Sequence, residues 1–301
     1  MVAKATRLSK NRAAQLRACL DKLEPVTDIS DDPIQFVHRY DSSADREVAA
    51  LFAATLAFGR VASFLPVLNE IFTQADECGG PATWVDNFSK EDADRIEPIF
   101  YRWIRGPDLA RFARTIGRIR VQYGSIEAVF KVNDTPNQTD IKPLLEQGIS
   151  IFQKFSLESP DEQFSDLSRG YRFLLTHPAS GSGCKRWCML FRWMARTEFP
   201  DVGMWSIPTS ALIIPLDTHI HQVADFVGLT RRKDGSWATA KEITQNLARM
   251  DPEDPTRFDF ALAHLGISGK CNKRRVPEVC DPCALVEVCR IGQPRKRSPT
   301  G

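Results

Sequence analysis

Four cysteines near the end of the chain limit what this sequence can fold into more than any other feature. They lie within nineteen residues, called here the cysteine segment, in the spacing C-x8-C-x2-C-x5-C, and they are Cys271, Cys280, Cys283 and Cys289. Thiolates bind soft metals, so four of them this close can hold one metal centre without ligands from elsewhere. A four-cysteine zinc site usually pairs two C-x2-C motifs across a long gap, and this segment has one such motif. The spacing therefore favours a 4Fe-4S cluster, with structural zinc as the alternative.

The composition is that of a globular protein. The chain has 301 residues, 43% of them hydrophobic, which suffices for one large domain or two small ones. The longest nearly apolar stretch, Val48 to Phe58, is too short to cross a membrane, and the amino terminus lacks an apolar secretory signal. Eight cysteines in a chain of this length suit a reducing compartment better than a disulfide framework. We therefore expect a cytoplasmic protein without a membrane partner.

Basic residues are grouped in short islands along a chain whose net charge is only +2. One island, Lys273 to Arg275, lies inside the cysteine segment, and another, Arg231 to Lys233, precedes it. A single run of charge is usually a solvated surface. The last eleven residues combine a third island, Arg295 to Arg297, with proline and glycine, so we expect residues 291–301 to form a flexible basic tail.

Helical periodicity dominates wherever the hydrophobic pattern is clear, and alternating strand patterns are nearly absent. The fold class we predict is therefore all-α. One helix, with Ser43 or Asp45 as its cap, runs to Phe58 and ends at Gly59. It is apolar on nearly every side, so we expect it to be buried. Further helices are predicted at 61–72, 108–123 and 141–155.

A tight turn rich in glycine precedes the next clear helix. Residues 177–183 contain a proline and two glycines, Gly181 and Gly183, and cannot be helical throughout. A helix starts near Cys184, and its large apolar side chains share one face that we expect to pack inward. Three cations of this helix gather opposite that face, with Lys185 in the first turn predicted to point out of the core; they are Lys185, Arg192 and Arg196. Free N–H groups of the turn and of the helix start can bind a phosphate.

A second predicted helix start carries an aspartate. Asp217 follows the apolar run 212–216 and precedes a helical pattern that Gly228 closes. By itself it is an ordinary N-cap residue. The helix dipole and the N–H donors keep such a carboxylate ionised, so that it can also stabilise a developing cation.

Three signals occur in a fixed order: the run Gly181-x-Gly183-x-Lys185, the Leu-Asp-Thr-His-Ile segment around Asp217, and the four cysteines. Together they resemble the helix-hairpin-helix DNA glycosylase superfamily, most closely its endonuclease III branch, of which the chain looks like a bacterial offshoot. The resemblance implies two helical lobes with a DNA-binding cleft between them. It places an N-terminal helix in 1–43 with the C-terminal lobe, a central lobe with the hairpin at 44–205, and the C-terminal lobe with the iron-sulfur motif at 206–290.

The same resemblance implies an enzyme of base-excision DNA repair. A member of this family that retains the lysine is a bifunctional DNA glycosylase with abasic-site lyase activity, because the lysine forms a Schiff base with the sugar. Lys185 matches the nucleophile, Asp217 matches the catalytic aspartate, and the four cysteines match the ligands of a structural 4Fe-4S cluster. Partial burial and the neighbouring Arg186 or Arg192 are expected to favour the neutral amine that this chemistry needs.

The implied partner is double-stranded DNA with a damaged or abasic nucleotide, bound by a monomer in the cytoplasm at the nucleoid. Members of the family hold phosphates with the hairpin and the loop after the first cysteine. Members of the family also insert side chains into the gap that the extruded base leaves in the duplex. Phe58 or Arg60 occupies the corresponding position in this chain. The residues assigned to DNA binding are Gly181, Gly183, Arg60, Lys273, Arg274 and Arg275.

Several features depart from the family's pattern, among them the following two. The first cysteine gap is longer than usual, and Ser182 replaces an apolar residue in the hairpin. Two alternative functions stay open: a non-enzymatic DNA-binding or damage-sensing iron-sulfur protein, and a zinc-stabilised helical module that does not act on DNA. His219 and His221 are predicted to pack rather than to bind a metal, and Cys184 and Cys188 to be buried helix residues.

Overall fold

Helices make up most of the fold. The computed structural model describes residues 6–23, 27–131, 140–267 and 271–293. The helices in chain order are α1 (Lys10–Leu20), α2 (Ser43–Leu56), α3 (Val61–Glu77), α4 (Pro81–Asp86), α5 (Lys90–Ile96), α6 (Gly106–Tyr123), α7 (Ile126–Phe130), α8 (Lys142–Phe155), α9 (Arg169–Leu174), α10 (Lys185–Ala195), α11 (Thr218–Val227), α12 (Trp237–Leu247), α13 (Asp259–Ile267) and α14 (Pro277–Cys280). In the described ranges the only strands are β1 (Phe100–Tyr101) and β2 (Ile104–Arg105), which form an antiparallel hairpin. The all-α prediction is confirmed.

The chain divides into two compact units. One consists of residues 28–208, and the other of Met1–Thr27 with Thr209–Gly301. Residues 28–43, which are predicted to belong with the N-terminal helix, lie in the unit 28–208, where the 3₁₀ helix Pro33–Arg39 packs against α2. Within the described ranges no helix has the length and apolar character needed to cross a membrane. The predicted tail lies outside the described residues from position 294 onward.

Helix α2 forms the centre of the unit 28–208. Every residue from Glu47 to Leu56 is buried, as the sequence predicts. The cap differs from the prediction, because Ser42 is the N-cap and its Oγ accepts a hydrogen bond from Asp45 N at 3.1 Å. The Asp45 carboxylate instead caps α4, where its Oδ1 accepts from Ala82 N at 2.8 Å. The helix ends at Leu56, before the predicted end.

A buried carboxylate holds a short helix and a tryptophan in the same unit. Glu47 accepts hydrogen bonds from the N–H groups of Ile126 and Glu127, both at 3.0 Å, where α7 begins. It also accepts from Nε1 of Trp205 at 2.8 Å. Burial of a carboxylate is unfavourable unless donors replace its water, so these three contacts explain how Glu47 can lie in the core. Trp205 is a core residue, as predicted.

Helix α10 is buried on every side beyond its first residue, which corrects one prediction. Arg192 and Arg196 are predicted to lie opposite the face that packs inward, but both are buried. Each pairs with the buried Asp201, with Arg192 Nη2 lying 3.1 Å from Oδ1 and Arg196 Nη1 bonded to Oδ2. The chain turns back after α10, and Val202 N donates to Trp193 O at 2.8 Å. The segment after α10 thus brings the Asp201 carboxylate against Arg192 and Arg196.

The second unit joins the two ends of the chain. Helix α11 packs against α13. Asn246, in α12, ties the N-terminal segment to the unit: its Oδ1 accepts from Leu8 N at 2.9 Å, and its Nδ2 donates to Thr6 O at 2.9 Å. The same amide group donates to Leu229 O at 2.8 Å, so one side chain connects three segments of backbone.

Replacing Asp201 by Asn should destabilise the protein by about 3 kcal/mol, because two buried guanidinium groups lose their counter-charge. Equilibrium unfolding in urea measures this as a lower free energy of unfolding. Glu198→Gln is the matched control, since Glu198 also pairs with Arg196 but its side chain is 79% exposed. For the control we expect a change below about 1 kcal/mol. Equal losses in the two variants would contradict the role given to Asp201.

Candidate functional site

The glycine turn before Lys185 is held by local hydrogen bonds. The 3₁₀ helix Pro178–Ser180 ends at Gly181, whose φ of +80° lies in the left-handed region. Among the described atoms, none lies within 4 Å of the point where a Cβ on Gly181 would stand. The backbone conformation, rather than crowding, is therefore what suits glycine to this position. The Gly181 N–H donates to Pro178 O at 3.0 Å.

Two further N–H groups of the turn are bonded to serine hydroxyls. Ser182 N lies 3.4 Å from Ser180 Oγ, and Cys184 N lies 3.2 Å from Ser182 Oγ. The expectation that the turn amides are free to bind a phosphate is therefore wrong for Ser182 N and Cys184 N. The acceptor for Cys184 N is the Ser182 hydroxyl, which an apolar residue would lack. Helix α10 itself starts without a side-chain cap. Amides in an uncapped first turn attract anions.

Lys185 is the first residue of α10 and is half-buried. Its Nζ lies 3.3 Å from the thioether sulfur of Met189, one turn along the helix. It also lies 3.5 Å from the carbonyl oxygen of Ala57, the residue that follows α2. The amine therefore lies in partly apolar surroundings at the carboxyl end of α2.

Arg186 is a buried cation beside Lys185. Its guanidinium donates to Thr55 O at 2.5 Å and to Phe173 O, and it lies 3.9 Å over the ring of Phe173. Burial lowers the pKa of Arg186 to about 10, so the group remains a cation at neutral pH. Of the two arginines expected to favour a neutral Lys185, Arg192 is paired with a carboxylate. Arg186 is bonded to carbonyl oxygens and follows Lys185 directly in the chain.

The two cysteines of α10's first turns are structural. Cys184 and Cys188 are both buried, as predicted. The Cys184 Sγ donates to Thr176 O at 3.7 Å, and the Cys188 Sγ to Gly183 O at 3.7 Å. Burial raises the pKa of Cys184 to about 11, which makes this thiol a poor nucleophile at neutral pH.

Asp217 is the N-cap of α11, which confirms its predicted place at a helix amino terminus. Its Oδ1 accepts a hydrogen bond from Ile220 N at 2.8 Å, and the residue is half-buried. Asp217 belongs to the unit that contains 209–301, whereas Lys185 belongs to the unit 28–208. Each of the two assigned catalytic residues thus stands at the amino end of a helix in its own unit.

The histidines after Asp217 are half-buried. A ring nitrogen of His221, Nε2, lies 2.9 Å from the carbonyl oxygen of Arg232. His219 Nδ1 is buried and has no hydrogen-bond partner in the part of the chain that is described. Neither belongs to a metal-holding group, since the described residues contain no group of three or more His, Cys, Asp or Glu side chains that could hold a metal ion.

The basic island 231–233 is largely neutralised. Arg232 Nε lies 3.1 Å from Glu242 Oε2, and Lys233 Nζ lies 3.0 Å from Asp225 Oδ2. Both acceptors are more buried than their cations, so they hold these side chains on the surface of their own unit. This island has less charge to offer a phosphate than its sequence indicates.

The four thiols of the cysteine segment are free and half-buried. Burial raises the pKa of Cys283, and Cys271 and Cys280 act in the same direction. Burial likewise raises the pKa of Cys289, with Cys271 and Cys283 again adding to it. The thiols are therefore close enough to influence one another's ionisation, although they are not gathered into a metal-holding geometry within the described residues.

Backbone amides point at the sulfur atoms. Val276 N lies 3.5 Å from Cys280 Sγ. The N–H of Leu285 faces the Cys283 sulfur and favours its thiolate, and the N–H groups of Ile291 and Gly292 do the same for Cys289. A Cβ on Gly292 would stand 3.2 Å from the Cys289 Cβ, so glycine allows the chain to approach Cys289 closely. Amide donors around sulfur are the environment that thiolate ligands of a metal centre need.

The basic loop after Cys271 has two exposed cations and one that is engaged. Lys273 and Arg274 are exposed. Arg275 donates to Asp281 Oδ1 at 2.7 Å and to the carbonyl oxygen of Gly292. Arg275 therefore ties the loop to the rest of the cysteine segment, and Lys273 and Arg274 are left exposed to solvent.

The residues assigned to filling a gap in DNA lie between α2 and α3. Arg60 is the exposed N-cap of α3. Phe58 is half-buried, and its ring contacts those of Tyr101, Trp103 and Phe173 at centroid distances of 4.7, 5.4 and 4.8 Å. Sequence reasoning did not find Trp103 or Phe173. The alternation of aromatic and arginine residues around Trp103 was the available signal.

One comparison with known proteins identifies a related family. A family model described as "Protein of unknown function (DUF2400)" matches residues 32–268. Comparison with curated proteins and with solved structures gives no match. The matched region contains Lys185 and Asp217 and ends before Cys271.

Replacing Asp217 by Ala should lower the free energy of unfolding by about 1 kcal/mol, because α11 loses its N-cap acceptor. Asp217→Asn should change it by less than about 0.5 kcal/mol, because an amide oxygen can accept the same hydrogen bond. Ser236→Ala, which removes the N-cap of α12, provides a loss of comparable size in the same unit. Urea unfolding of the three variants measures these values. An unchanged stability in Asp217→Ala would show that the cap contributes nothing.

Proposed function

The chain belongs to the DUF2400 family, and we propose that it is a base-excision DNA repair enzyme, a bifunctional DNA glycosylase with abasic-site lyase activity. The proposal includes the helix-hairpin-helix glycosylase fold with its DNA-binding cleft. The substrate is double-stranded DNA that carries a damaged or abasic nucleotide. The enzyme acts as a monomer at the nucleoid.

The observation that carries this proposal is the position of the Lys185 amine. It stands at the start of a buried helix, directly after a glycine turn, and it touches a thioether at 3.3 Å and a carbonyl oxygen at 3.5 Å. Partly apolar surroundings and a neighbouring cation, Arg186, are the conditions that suit a lysine to Schiff-base chemistry. A surface lysine has neither.

The chemistry begins with extrusion of the nucleotide, because a base stacked in a duplex cannot be reached. As the bond between the base and C1′ breaks, positive charge develops on the sugar, and the Asp217 carboxylate stabilises it. One Asp217 oxygen is held by Ile220 N, which fixes the orientation of the group. The base leaves with the electron pair of that bond and takes up a proton from water.

Lys185 then forms the covalent intermediate. Its neutral amine attacks C1′ and forms a C–N bond. A proton passes from the nitrogen to the ring oxygen O4′, and breaking of the C1′–O4′ bond opens the sugar and gives the protonated Schiff base. Removal of a proton from C2′ moves an electron pair toward the imine and breaks the bond to the 3′ phosphate. The Schiff base with Lys185 thus leads to strand cleavage. The proposed enzyme is therefore a lyase as well as a glycosylase.

Sequence-independent contacts to phosphates hold the DNA during these steps. The amides of the α10 first turn, next to Gly181 and Gly183, supply one set of donors. The exposed Lys273 and Arg274 supply charge, and Arg275 positions their loop through Asp281. Binding of this kind weakens steeply with salt because counterions are released from the DNA.

The proposed cofactor is a 4Fe-4S cluster with Cys271, Cys280, Cys283 and Cys289 as its ligands. Support comes from the mutual influence of these thiols and from the backbone amides that face their sulfur atoms. When bound, the cluster has a structural role: four thiolates on one centre hold the basic loop in position. Structural zinc is the alternative occupant.

Borohydride trapping on duplexes with an abasic site or with one of a panel of damaged bases tests the chemistry. We expect a covalent adduct with the wild-type protein, and its loss in Lys185→Ala. Asp217→Asn should slow base release at least about a hundredfold because charge stabilisation is removed. Lys142→Ala replaces a lysine at the first position of a different helix, α8, and should behave like wild type.

Two outcomes of the trapping experiment would contradict the proposal. Undiminished lyase activity in Lys185→Ala would remove the role given to that residue. Absence of an adduct with wild type across the whole panel, with binding to the same duplexes intact, would favour the alternative of a non-enzymatic DNA-binding or damage-sensing protein.

The cluster can be tested separately. Protein expressed anaerobically with iron should be brown, with broad absorbance in the violet, and should contain iron and acid-labile sulfide. Cys283→Ser should lose the colour and the iron. Cys78→Ser alters a cysteine of the other unit, at the end of α3, and should keep both. A colourless wild-type protein that contains zinc would support the zinc alternative instead.

A further inference from the structure

We propose that three aromatic side chains in the unit 28–208 form a stacking site for an unpaired nucleobase of DNA. They are Phe58, Trp103 and Phe173, called here the aromatic platform. Trp103 lies in the turn between β1 and β2, Phe58 follows α2, and Phe173 lies in α9. The choice of DNA as the ligand rests on the proposed function; the stacking site itself rests on the geometry below.

The three rings pack against one another in a compact group. The centroids of Phe58 and Trp103 are 5.4 Å apart with their planes 27° from parallel. Phe173 meets Phe58 at 4.8 Å and Trp103 at 5.1 Å, edge to face in both cases. All three residues are only half-buried. Aromatic surface left partly exposed in this way can accept a further ring by stacking.

Arginines surround the platform and lack carboxylate partners. Arg102 lies 5.9 Å from the Phe58 centroid and 6.0 Å from that of Trp103, and Arg169 lies 5.1 Å from that of Trp103. Both arginines are exposed, as is Arg60. Among the described residues, none of these three forms an ion pair.

Several other arginines of the same unit are paired with carboxylates. Arg111, Arg114 and Arg118 all lie within 3.5 Å of the Glu158 carboxylate. Arg120 pairs with Asp86 at 2.8 Å. The cations at the platform have no such carboxylate in the described part of the chain, and their charge favours an anion there.

The platform is held in place before any ligand binds. Arg102 has a φ of +56°, which is a strained conformation for a residue with a side chain. Tyr101 Oη donates to the carbonyl oxygen of Phe58, joining the hairpin to the end of α2. A Cβ on Gly59 would stand 2.8 Å from the Arg102 guanidinium, so glycine makes room for this arginine. Strain of this kind is characteristic of binding sites that are organised in advance.

The platform is adjacent to the residues proposed to act on the sugar. Lys185 Nζ contacts the carbonyl oxygen of Ala57, the residue before Phe58. Arg186 lies 3.9 Å over the ring of Phe173 and 5.7 Å from that of Phe58. A base stacked on these rings would therefore belong to a nucleotide close to the amine.

An unpaired nucleobase fits this surface better than a paired one. Rings and arginines together are the combination that binds single-stranded nucleic acid, with bases stacked on the aromatic faces and guanidinium groups on the phosphates. A base inside a duplex is already stacked on its neighbours and offers no free face. Phe58, held by three other rings, is thus assigned to receiving a base rather than to filling the gap in the duplex.

The test compares two duplexes of equal length, one fully paired and one with a single unpaired nucleotide, by fluorescence anisotropy. The wild-type protein should bind the second about tenfold more tightly. Trp103→Leu should lose most of this preference and keep its affinity for the paired duplex. Phe100→Leu is the matched control, since Phe100 is an aromatic residue of the same hairpin that is 63% exposed and outside the platform.

A second pair of variants covers the case in which Trp103→Leu does not fold. Arg169 is exposed and can be replaced by Gln without disturbing the core. Arg169→Gln should weaken binding of the unpaired nucleotide about threefold. Arg118→Gln makes the same change of charge at an arginine paired with Glu158 and should leave the preference unchanged.

The outcomes separate this inference from the proposed function. Equal affinity of the wild-type protein for both duplexes, or a full preference in Trp103→Leu and Arg169→Gln, would overturn the stacking site. A preference that depends on Trp103, without any Schiff-base adduct, would overturn the proposed enzyme and support the stacking site. A Schiff-base adduct without a preference for the unpaired nucleotide would overturn the stacking site and support the proposed enzyme.

Discussion

The buried guanidinium of Arg186 joins the helices around the candidate site. A cation in the core needs acceptors, and Arg186 finds them in the carbonyl oxygens of Thr55 and Phe173, in the last turns of α2 and α9. The carboxyl ends of helices carry partial negative charge, which compensates a cation without a carboxylate. Because Lys185 precedes Arg186 in α10, this contact also determines where the Lys185 amine lies. The packing of α2, α9 and α10 and the position of Lys185 thus depend on the Arg186 side chain.

The distribution of counter-charges distinguishes the structural cations from the exposed ones. Asp201 neutralises the two arginines buried with α10, and Glu158 collects several arginines on the surface. At the aromatic platform the arginines have no such partner among the described residues. A net charge of +2 hides this difference. The aromatic platform thus combines half-exposed rings with cations that lack a carboxylate in the described ranges. It is therefore the part of the unit for which we propose a ligand from outside the protein.

The catalytic proposal and the cluster proposal depend on different parts of the chain. Lys185 and Asp217 lie within the region that matches the DUF2400 family, and the cysteine segment lies beyond it. The amides that face the sulfur atoms come from the segment itself, through Leu285, Ile291 and Gly292. If the proposed metal centre binds, its binding is coupled to folding of this segment, because the thiolates need a counter-charge that the amides only partly provide. The cluster proposal therefore predicts that loss of the cluster first affects the basic loop.

The sequence by itself determined the helical character, the burial of α2, the cap at Asp217 and the buried thiols of α10, because periodicity and capping act between residues a few positions apart. It could not determine the burial of Arg192 and Arg196, since their counter-charge, Asp201, is brought back only by a turn of the chain. The aromatic platform has the same origin. Its rings come from three separate segments, and only the tertiary structure decided that they meet beside Lys185, because packing between distant segments depends on contacts that no local pattern records.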